Sequence, residues 1–392
     1  MLGHGVASII RYDPGATYRR VGMAALESQL LKLIEERQVD IVVYPLGMEF
    51  DFRPAFLRDS LSGVFKVLVL GDDEHYFDVS HRYYAQCFDL VLTTNPLCDR
   101  YRLYGIDARF MPVPFDSKTF SPSSDVGKEI DVSFVGAMKS KIGRAEYARA
   151  LEASGIDFRV YGVGTTAGIL SRSQSIEIYR RSRINLNFTG GNLVTPLDAT
   201  LSINRRIRQV KGRCFMVALC CSFVLSEYAP GIEKVFHIGK EIDVFHDELE
   251  LIDKIRYYLA HEYEREEMAR RSYMRAIKEY DEAAFGRELV SKLEVRVRSR
   301  DKQKSTMPLY LDRQFWVRFG AWRFKYLVIF LFSGKPYLFA QEAILLLRTG
   351  WFEPHAALWF AAFGLQISAR TSSLAALLSS ILRGARRALR RS

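Results

Sequence analysis

Short apolar runs recur along this chain at helix-length intervals, and that rhythm restricts the kind of sheet it can build. Residues 39–44, 66–70 and 90–93 come first; 130–136, 158–162, 184–188, 223–228 and 239–245 follow. Runs of this length, rich in Val, Ile, Leu and Phe and closed by Gly, Pro, Asn or Asp, are strands. Between them lie stretches with helical periodicity. Residues 21–37 carry Leu26, Leu30, Leu31 and Ile34 on one face, and further helices are expected at 145–154, 175–182, 263–280 and 283–293. Asp247 is placed to cap another, with Leu249, Ile252, Ile255 and Leu259 facing inward. An alternating segment at 7–12 is also expected to be a strand. Strands joined through helices make parallel sheets covered on both faces. The expected class is therefore α/β, with two Rossmann-like domains facing a cleft.

The rhythm breaks twice. Residues 116–129, polar and containing Pro and Ser, form a linker between an N-terminal domain at 1–115 and a C-terminal domain at 130–293. From 314 to 392 aromatic and basic residues take over: Phe315, Trp316, Phe319, Trp322, Phe324, Tyr326, Phe330 and Phe332 stand among Arg318, Arg323 and Lys325. The apolar stretches there are shorter than the roughly 20 residues of a membrane span. Two readings stand: an amphipathic tail lying on a membrane, aromatic side down and cations against acidic lipid, or a helical appendage packed on the protein.

Charge and cysteine content narrow the partners. A net charge of +11 and a pI near 9.3 favour an acidic partner. Arg383, Arg386, Arg387, Arg390 and Arg391 carry much of the excess. No nucleic-acid module is recognisable, so nucleic acid is not an expected partner. Five scattered cysteines, Cys87, Cys98, Cys214, Cys220 and Cys221, fit packed thiols in a reducing compartment and not a disulfide framework. No secretory signal is evident.

In parallel α/β sheets ligands bind at the carboxyl ends of the strands. Lys211 and Arg213 belong to a cationic segment placed to face an anion; a solvated basic loop is the alternative. Glu227, followed by the Ala229-Pro230-Gly231 turn, either accepts hydrogen bonds from hydroxyls or caps a helix. Asp72-Asp73-Glu74, at the end of an apolar strand, leaves three readings: a metal-holding acidic element, acceptor recognition with general-base work, or a solvated loop. His75 and His81 lie nearby.

Asp131-Val132-Ser133-Phe134-Val135-Gly136, Tyr161-Gly162-Val163-Gly164, the run at 184–188, Gln209 to Phe215, Phe223 to Tyr228 and Gly239 to Phe245 occur in that order. Together they resemble the CgeB-like (spore maturation protein) branch of the GT-B glycosyltransferases, over about residues 39–293. The resemblance implies a bacterial enzyme transferring a sugar from a nucleotide-sugar donor to an acceptor hydroxyl, in surface polysaccharide, glycolipid or protein glycosylation. A non-catalytic nucleotide- or glycan-binding member is the alternative. The implied donor contacts are Gly136, Lys211, Arg213, Glu227, Tyr228 and Gly231, with the amides from Tyr228 to Ile232 available to phosphate or hydroxyls. Asp72, Asp73 and His75 are the catalytic candidates on the acceptor side. No metal or other cofactor is expected, since the cationic segment would neutralise the departing diphosphate. The implied acceptor is a glycan, a lipid-linked group or a protein, and the implied location is cytoplasmic, peripheral at an anionic membrane surface.

Two departures from the family pattern stand out. Where the family carries Glu after Phe as a ribose contact, this chain has Met216. The family's Leu-Gly-His-x-Val element, expected after a first strand and helix, falls at Leu2-Gly3-His4-Gly5-Val6, so the first βα unit is expected to be missing.

Overall fold

Four parallel strands, β1 (Ile41–Leu46), β2 (Phe65–Leu70), β3 (Leu90–Thr93) and β4 (Ala108–Phe110), lie in sequential order in one sheet. Five more, β5 (Ile130–Val135), β6 (Phe158–Tyr161), β7 (Ser182–Asn187), β8 (Val224–Glu227) and β9 (Asp243–Phe245), form a second parallel sheet in the order β6-β5-β7-β8-β9. Register pairs Val43 with Val67 in the first and Leu186 with Leu225 in the second. The computed structural model describes residues 8–47, 50–123, 126–138, 143–191, 206–298, 309–349 and 354–369. The Leu2–Val6 element, the five C-terminal arginines and the segment 192–205 therefore lie outside the described residues.

The expected strand at 7–12 is not formed. Ser8 to Tyr12 carry no regular structure, because the chain turns at once into helix α1 (Pro14–Val21), whose N-cap Asp13 accepts from the Ala16 amide. Gly22, at φ 81°, separates α1 from α2 (Met23–Glu36). In the second half, α3 (Arg144–Ala153), α4 (Arg172–Arg181) and α5 (Gly212–Leu219) flank the second sheet together with α6 (Glu248–Ala260) and α7 (Glu262–Glu279). Ser171 and Gln174 start α4 with a reciprocal capping box. Asp247 caps α6 as expected, but Leu249 is exposed and Leu251 takes the buried position. α8 (Glu282–Arg298) crosses back and lays Leu289 and Leu293 against Phe65, Val67, Leu90 and Leu92 of the first sheet.

The tail corrects the aromatic basis of the membrane reading. It forms three helices, α9 (Arg313–Phe332), α10 (Pro336–Thr349) and α11 (Pro354–Ser368). Phe315, Phe319, Tyr326 and Phe330 of α9 are buried in one core with Tyr18, Phe50 and Tyr84 of the first half. The cations follow them inward. Arg323 donates to Glu342 over 2.6 Å with both side chains buried, and Tyr18 bonds the same carboxylate. Rings that serve as core cannot also line a membrane interface. No described helix is long and apolar enough to cross a membrane.

All five cysteines are free, and four are buried. Burial pushes the thiols of Cys87 and Cys220 up to about 12 and that of Cys214 up to about 11, which keeps them protonated and unreactive.

Candidate functional site

β5 is followed in sequence by β6 on one side, whereas β7 lies on its other side. The crevice beyond the carboxyl ends of β5 and β7 is thus the point where the winding reverses, the place where open α/β sheets bind ligands. Two arginines span it. Arg213, in the first turn of α5, donates from Nε to the Val135 carbonyl over 2.7 Å and from Nη1 to the Asn187 side chain over 2.8 Å. Arg144, at the start of α3, donates to the Ala137 and Phe188 carbonyls over 2.6 and 3.3 Å. Both guanidiniums pack on the Phe134 ring, 4.4 and 5.0 Å from its centroid.

Neither arginine makes a salt bridge to a carboxylate among the described residues; their partners are carbonyls, an amide oxygen and, for Arg213, Tyr179. Burial lowers the affinity of both for a proton, and the Arg213 charge adds to the effect on Arg144, which falls to about 9. Two neighbouring guanidiniums, one buried and one partly buried, raise each other's electrostatic cost, so an anion between them is favoured. Gly136 keeps the site open. A Cβ there would lie 2.5 Å from Arg213 Nη2 and 2.8 Å from the Phe134 ring.

Lys211 and Gly212 begin α5 and are not part of an open basic loop. Lys211 Nζ bonds the Gln209 side-chain oxygen. Gln209 Nε2 in turn reaches across to the first half, donating to Asp72 over 3.1 Å and Glu74 over 2.8 Å. The two halves meet here at several points: His75 packs on Gly191, Pro96 and Leu97 pack on Gly231, and Lys234 pairs with Asp99 at 2.8 Å. The carboxyl ends of the two sheets therefore face one another across a cleft.

Glu227 is neither a helix cap nor an open acceptor of hydroxyls in this state. Its buried carboxylate accepts from the Thr189 amide at 2.7 Å, the Thr189 hydroxyl at 2.9 Å and Arg208 Nε at 2.7 Å. Three of the amides assigned to phosphate are also occupied: Tyr228 donates to the Phe245 carbonyl, Gly231 to Glu233 and Ile232 to the Ala229 carbonyl. The Tyr228 ring stacks on His246 at 5.1 Å.

The acidic triplet divides. Asp72, in a left-handed conformation at φ 50°, is exposed at the cleft. Asp73 turns inward and is fully buried, bonded to His81 Nδ1 at 2.8 Å, Arg100 at 2.7 Å, the Tyr101 hydroxyl at 2.7 Å and the Thr93 hydroxyl at 3.1 Å. It organises the loop and has no free oxygen to offer a substrate. Glu74 faces Gln209, and burial raises its pKa above the ordinary value. Asp72 and Glu74 thus converge on Gln209 while Asp73 points away from them, and among the described residues no three His, Cys, Asp or Glu side chains group as a metal site. Met216 lies in the second turn of α5, partly buried against the core shared with Phe215 and Val235.

Arg144 and Arg208 were not singled out from the sequence; Glu74 entered only within the acidic triplet and Gln209 only as the start of the cationic segment. Arg144 looks there like an ordinary residue of a polar helix, and its position becomes visible only once the strand order is known.

This two-domain arrangement is the GT-B glycosyltransferase fold. Residues 144–291 match the family model described as "Glycosyl transferase-like". Among solved structures, Anabaena HepE in complex with UDP-glucose aligns with a TM-score of 0.51 at 12% identity, covering 69% of this chain and 82% of that one. A glycosyltransferase from Rickettsia africae aligns with a TM-score of 0.52 at 11% identity, covering 75% and 85%. The sucrose-phosphate synthase of Thermosynechococcus elongatus gives 0.51 at 9% identity, over 75% and 82%. No curated protein sequence matches this chain.

Proposed function

We propose that this protein is a glycosyltransferase that moves a sugar from a nucleoside-diphosphate donor to an acceptor hydroxyl. The observation that carries the reading is the pair Arg144 and Arg213, one buried and one partly buried cation without a salt bridge among the described residues, at the winding-reversal crevice. A diphosphate is the anion that completes them, with Lys211 as a third positive charge beside it. As the bond from the anomeric carbon to the diphosphate oxygen breaks, the bond to the acceptor oxygen forms. The cations hold the charge left on the diphosphate. They thereby take the part that a divalent metal plays in other transferases, and no metal is called for.

The acceptor enters from the first half, where Asp72, Glu74 and His75 line the cleft and Asp73 fixes their loop. HepE was solved with UDP-glucose, which supports a UDP-sugar as the first donor to try. The order of motifs from Asp131 to Phe245 supports the CgeB-like branch. A glycan, a lipid-linked group or a protein is the acceptor class, and the cytoplasmic face of a membrane is the place of work. Met216, an apolar side chain where the family has its ribose carboxylate, favours a second reading, a nucleotide-binding member without turnover.

Calorimetry with UDP, GDP and their sugars, followed by donor hydrolysis, separates the two. Arg213→Ala removes charge-assisted bonds of about 1.5–3 kcal/mol and is expected to weaken nucleotide binding at least tenfold, while Arg213→Lys keeps part of it. Equal affinity in the Ala variant and the parent overturns the assignment. Binding without hydrolysis or transfer leaves only the second reading.

A further inference from the structure

A strand inside a parallel sheet is covered on both faces and is ordinarily apolar on both. β7 departs from this. Ile184, Leu186 and Phe188 fill the core on one face, whereas Asn185 and Asn187 are buried on the other, the face covered by α4 and α5. A buried amide is costly unless both its oxygen and its NH2 find partners. Asn185 spends its amide on the fold. Its NH2 donates to the Tyr179 carbonyl near the end of α4 over 3.1 Å, and its oxygen accepts from the Ser133 hydroxyl over 3.2 Å. Asn187 spends its amide on the crevice. Its oxygen accepts from Arg213 Nη1 and its NH2 donates to the Ser226 hydroxyl, each over 2.8 Å.

The chain of bonds through Asn187 has one direction. Ser226 donates its own proton to the Glu227 carbonyl over 2.8 Å, which leaves its lone pairs for the Asn187 NH2. The amide is thereby held with its oxygen toward the guanidinium, since the flipped amide would set NH2 against a cation. With Nε on the Val135 carbonyl and Nη1 on Asn187, two acceptors fix the plane of the guanidinium, and Nη2 is the nitrogen beside Gly136. An amide does this without neutralising the charge. A carboxylate in its place would hold Arg213 as firmly and would occupy the charge-assisted bond that a phosphate is to make. Asn in place of Asp therefore suits a cation reserved for an incoming anion.

We infer that Asn187 is a positioning residue for the donor site: it aims Arg213 at the diphosphate, and Ser226 fixes which end of its amide faces the guanidinium. The inference rests on the reading of Arg213 as a diphosphate contact and adds how the sheet prepares that contact before the donor arrives. A long side chain already held in its binding orientation loses less conformational freedom when the ligand is seated.

The test is calorimetry with whichever of UDP and GDP the parent binds more tightly, together with the thermal midpoint of each protein. Asn187→Asp gives Arg213 an internal counter-charge, so the midpoint should hold or rise while the nucleotide binds about tenfold or more weakly. A side chain that served packing alone would give the reverse, a lower midpoint with unchanged affinity, and that result overturns the inference. Ser226→Ala should weaken binding about threefold or more in the parent, and by less than about twofold when Arg213→Ala is already present, because losses that pass through one guanidinium do not add. Where Asn187→Asp lowers both midpoint and affinity, this cycle decides: equal losses in the two backgrounds overturn the inference, and a loss confined to the parent supports it. Asn187→Asp with parent affinity also overturns it, and leaves the donor reading standing if Arg213→Ala alone still weakens binding. A parent that binds neither nucleotide removes the donor reading, and the inference with it.

Discussion

Asp73→Asn separates a structural from a reacting carboxylate. Burial alone would push the Asp73 carboxyl up, but the hydrogen bonds and charges of His81 and Arg100 outweigh it and hold the group at about 2, against an ordinary 3.8. Because the folded value lies below the unfolded one, the stabilisation is complete above pH 3.8 and is lost as pH falls toward 2. The gap corresponds to roughly 2–3 kcal/mol. Asparagine keeps the shape but turns an NH2 toward one of the donors and leaves Arg100 without its counter-charge. Breaking a buried pair costs about 3–5 kcal/mol, and partial exposure of Arg100 places this one at the lower end. Urea unfolding at pH 7 and in steps down to pH 2 measures both effects. The variant should be about 3 kcal/mol less stable at pH 7 and should lack the acid-dependent component that the parent loses as pH falls from about 4 toward 2. If Asp73→Asn keeps the parent stability within about 0.5 kcal/mol yet abolishes donor turnover, Asp73 is a reacting group and the reasoning fails.

Three further outcomes follow from the geometry. Glu342→Gln leaves buried Arg323 without its carboxylate and should loosen the tail by about 3–5 kcal/mol, seen as faster proteolysis after residue 309; the apolar pair Arg323→Met/Glu342→Leu should restore resistance. Gly136→Ala places a methyl within 3 Å of both Arg213 and the Phe134 ring, so nucleotide affinity measured by calorimetry should drop about tenfold as the guanidinium is displaced. Glu74→Gln removes a negative charge next to the Gln209–Lys211 pair, so nucleoside diphosphate should bind at least as tightly as to the parent while sugar transfer slows; weaker nucleotide binding would move Glu74 to the donor side.

The fold was legible because strand and helix rhythms are local. The runs ending at Leu70, Thr93 and Val135 bury β-branched and leucine side chains on both faces of a parallel sheet, and periodicity alone reports that. What the sequence could not show is which loop ends converge. Arg144 and Arg213 stand 69 positions apart and meet only because β7 returns beside β5. Asp73 differs from Asp72 and Glu74 in nothing but direction, and the direction depends on Arg100 and Tyr101 arriving from the segment after β3. The aromatic tail left two readings open for a related reason. Rings spread all round a helix mark contact with something apolar, and the sequence does not say whether that is lipid or the chain's own first domain.

The cleft also balances part of the positive charge of the second half. The acids of the first half act as internal counter-charges: Asp72 and Glu74 engage Gln209, and Gln209 engages Lys211, so part of the donor-side charge is balanced from across the cleft. Among the described residues, Arg144 and Arg213 hydrogen-bond carbonyls, Asn187 and, for Arg213, Tyr179, pack on the Phe134 ring and make no salt bridge. An arriving diphosphate therefore gains most from the two arginines, and it competes with Glu74 only for Lys211. The same exchange would release Asp72 and Glu74 from Gln209 at the moment an acceptor hydroxyl needs an acidic partner. On the proposed function, donor binding and acceptor recognition would in that way be coupled through one glutamine. Gln209→Ala should thus uncouple them: nucleotide affinity in the absence of acceptor should change little, while any enhancement of it by acceptor should disappear. An enhancement that persists in Gln209→Ala would refute the coupling.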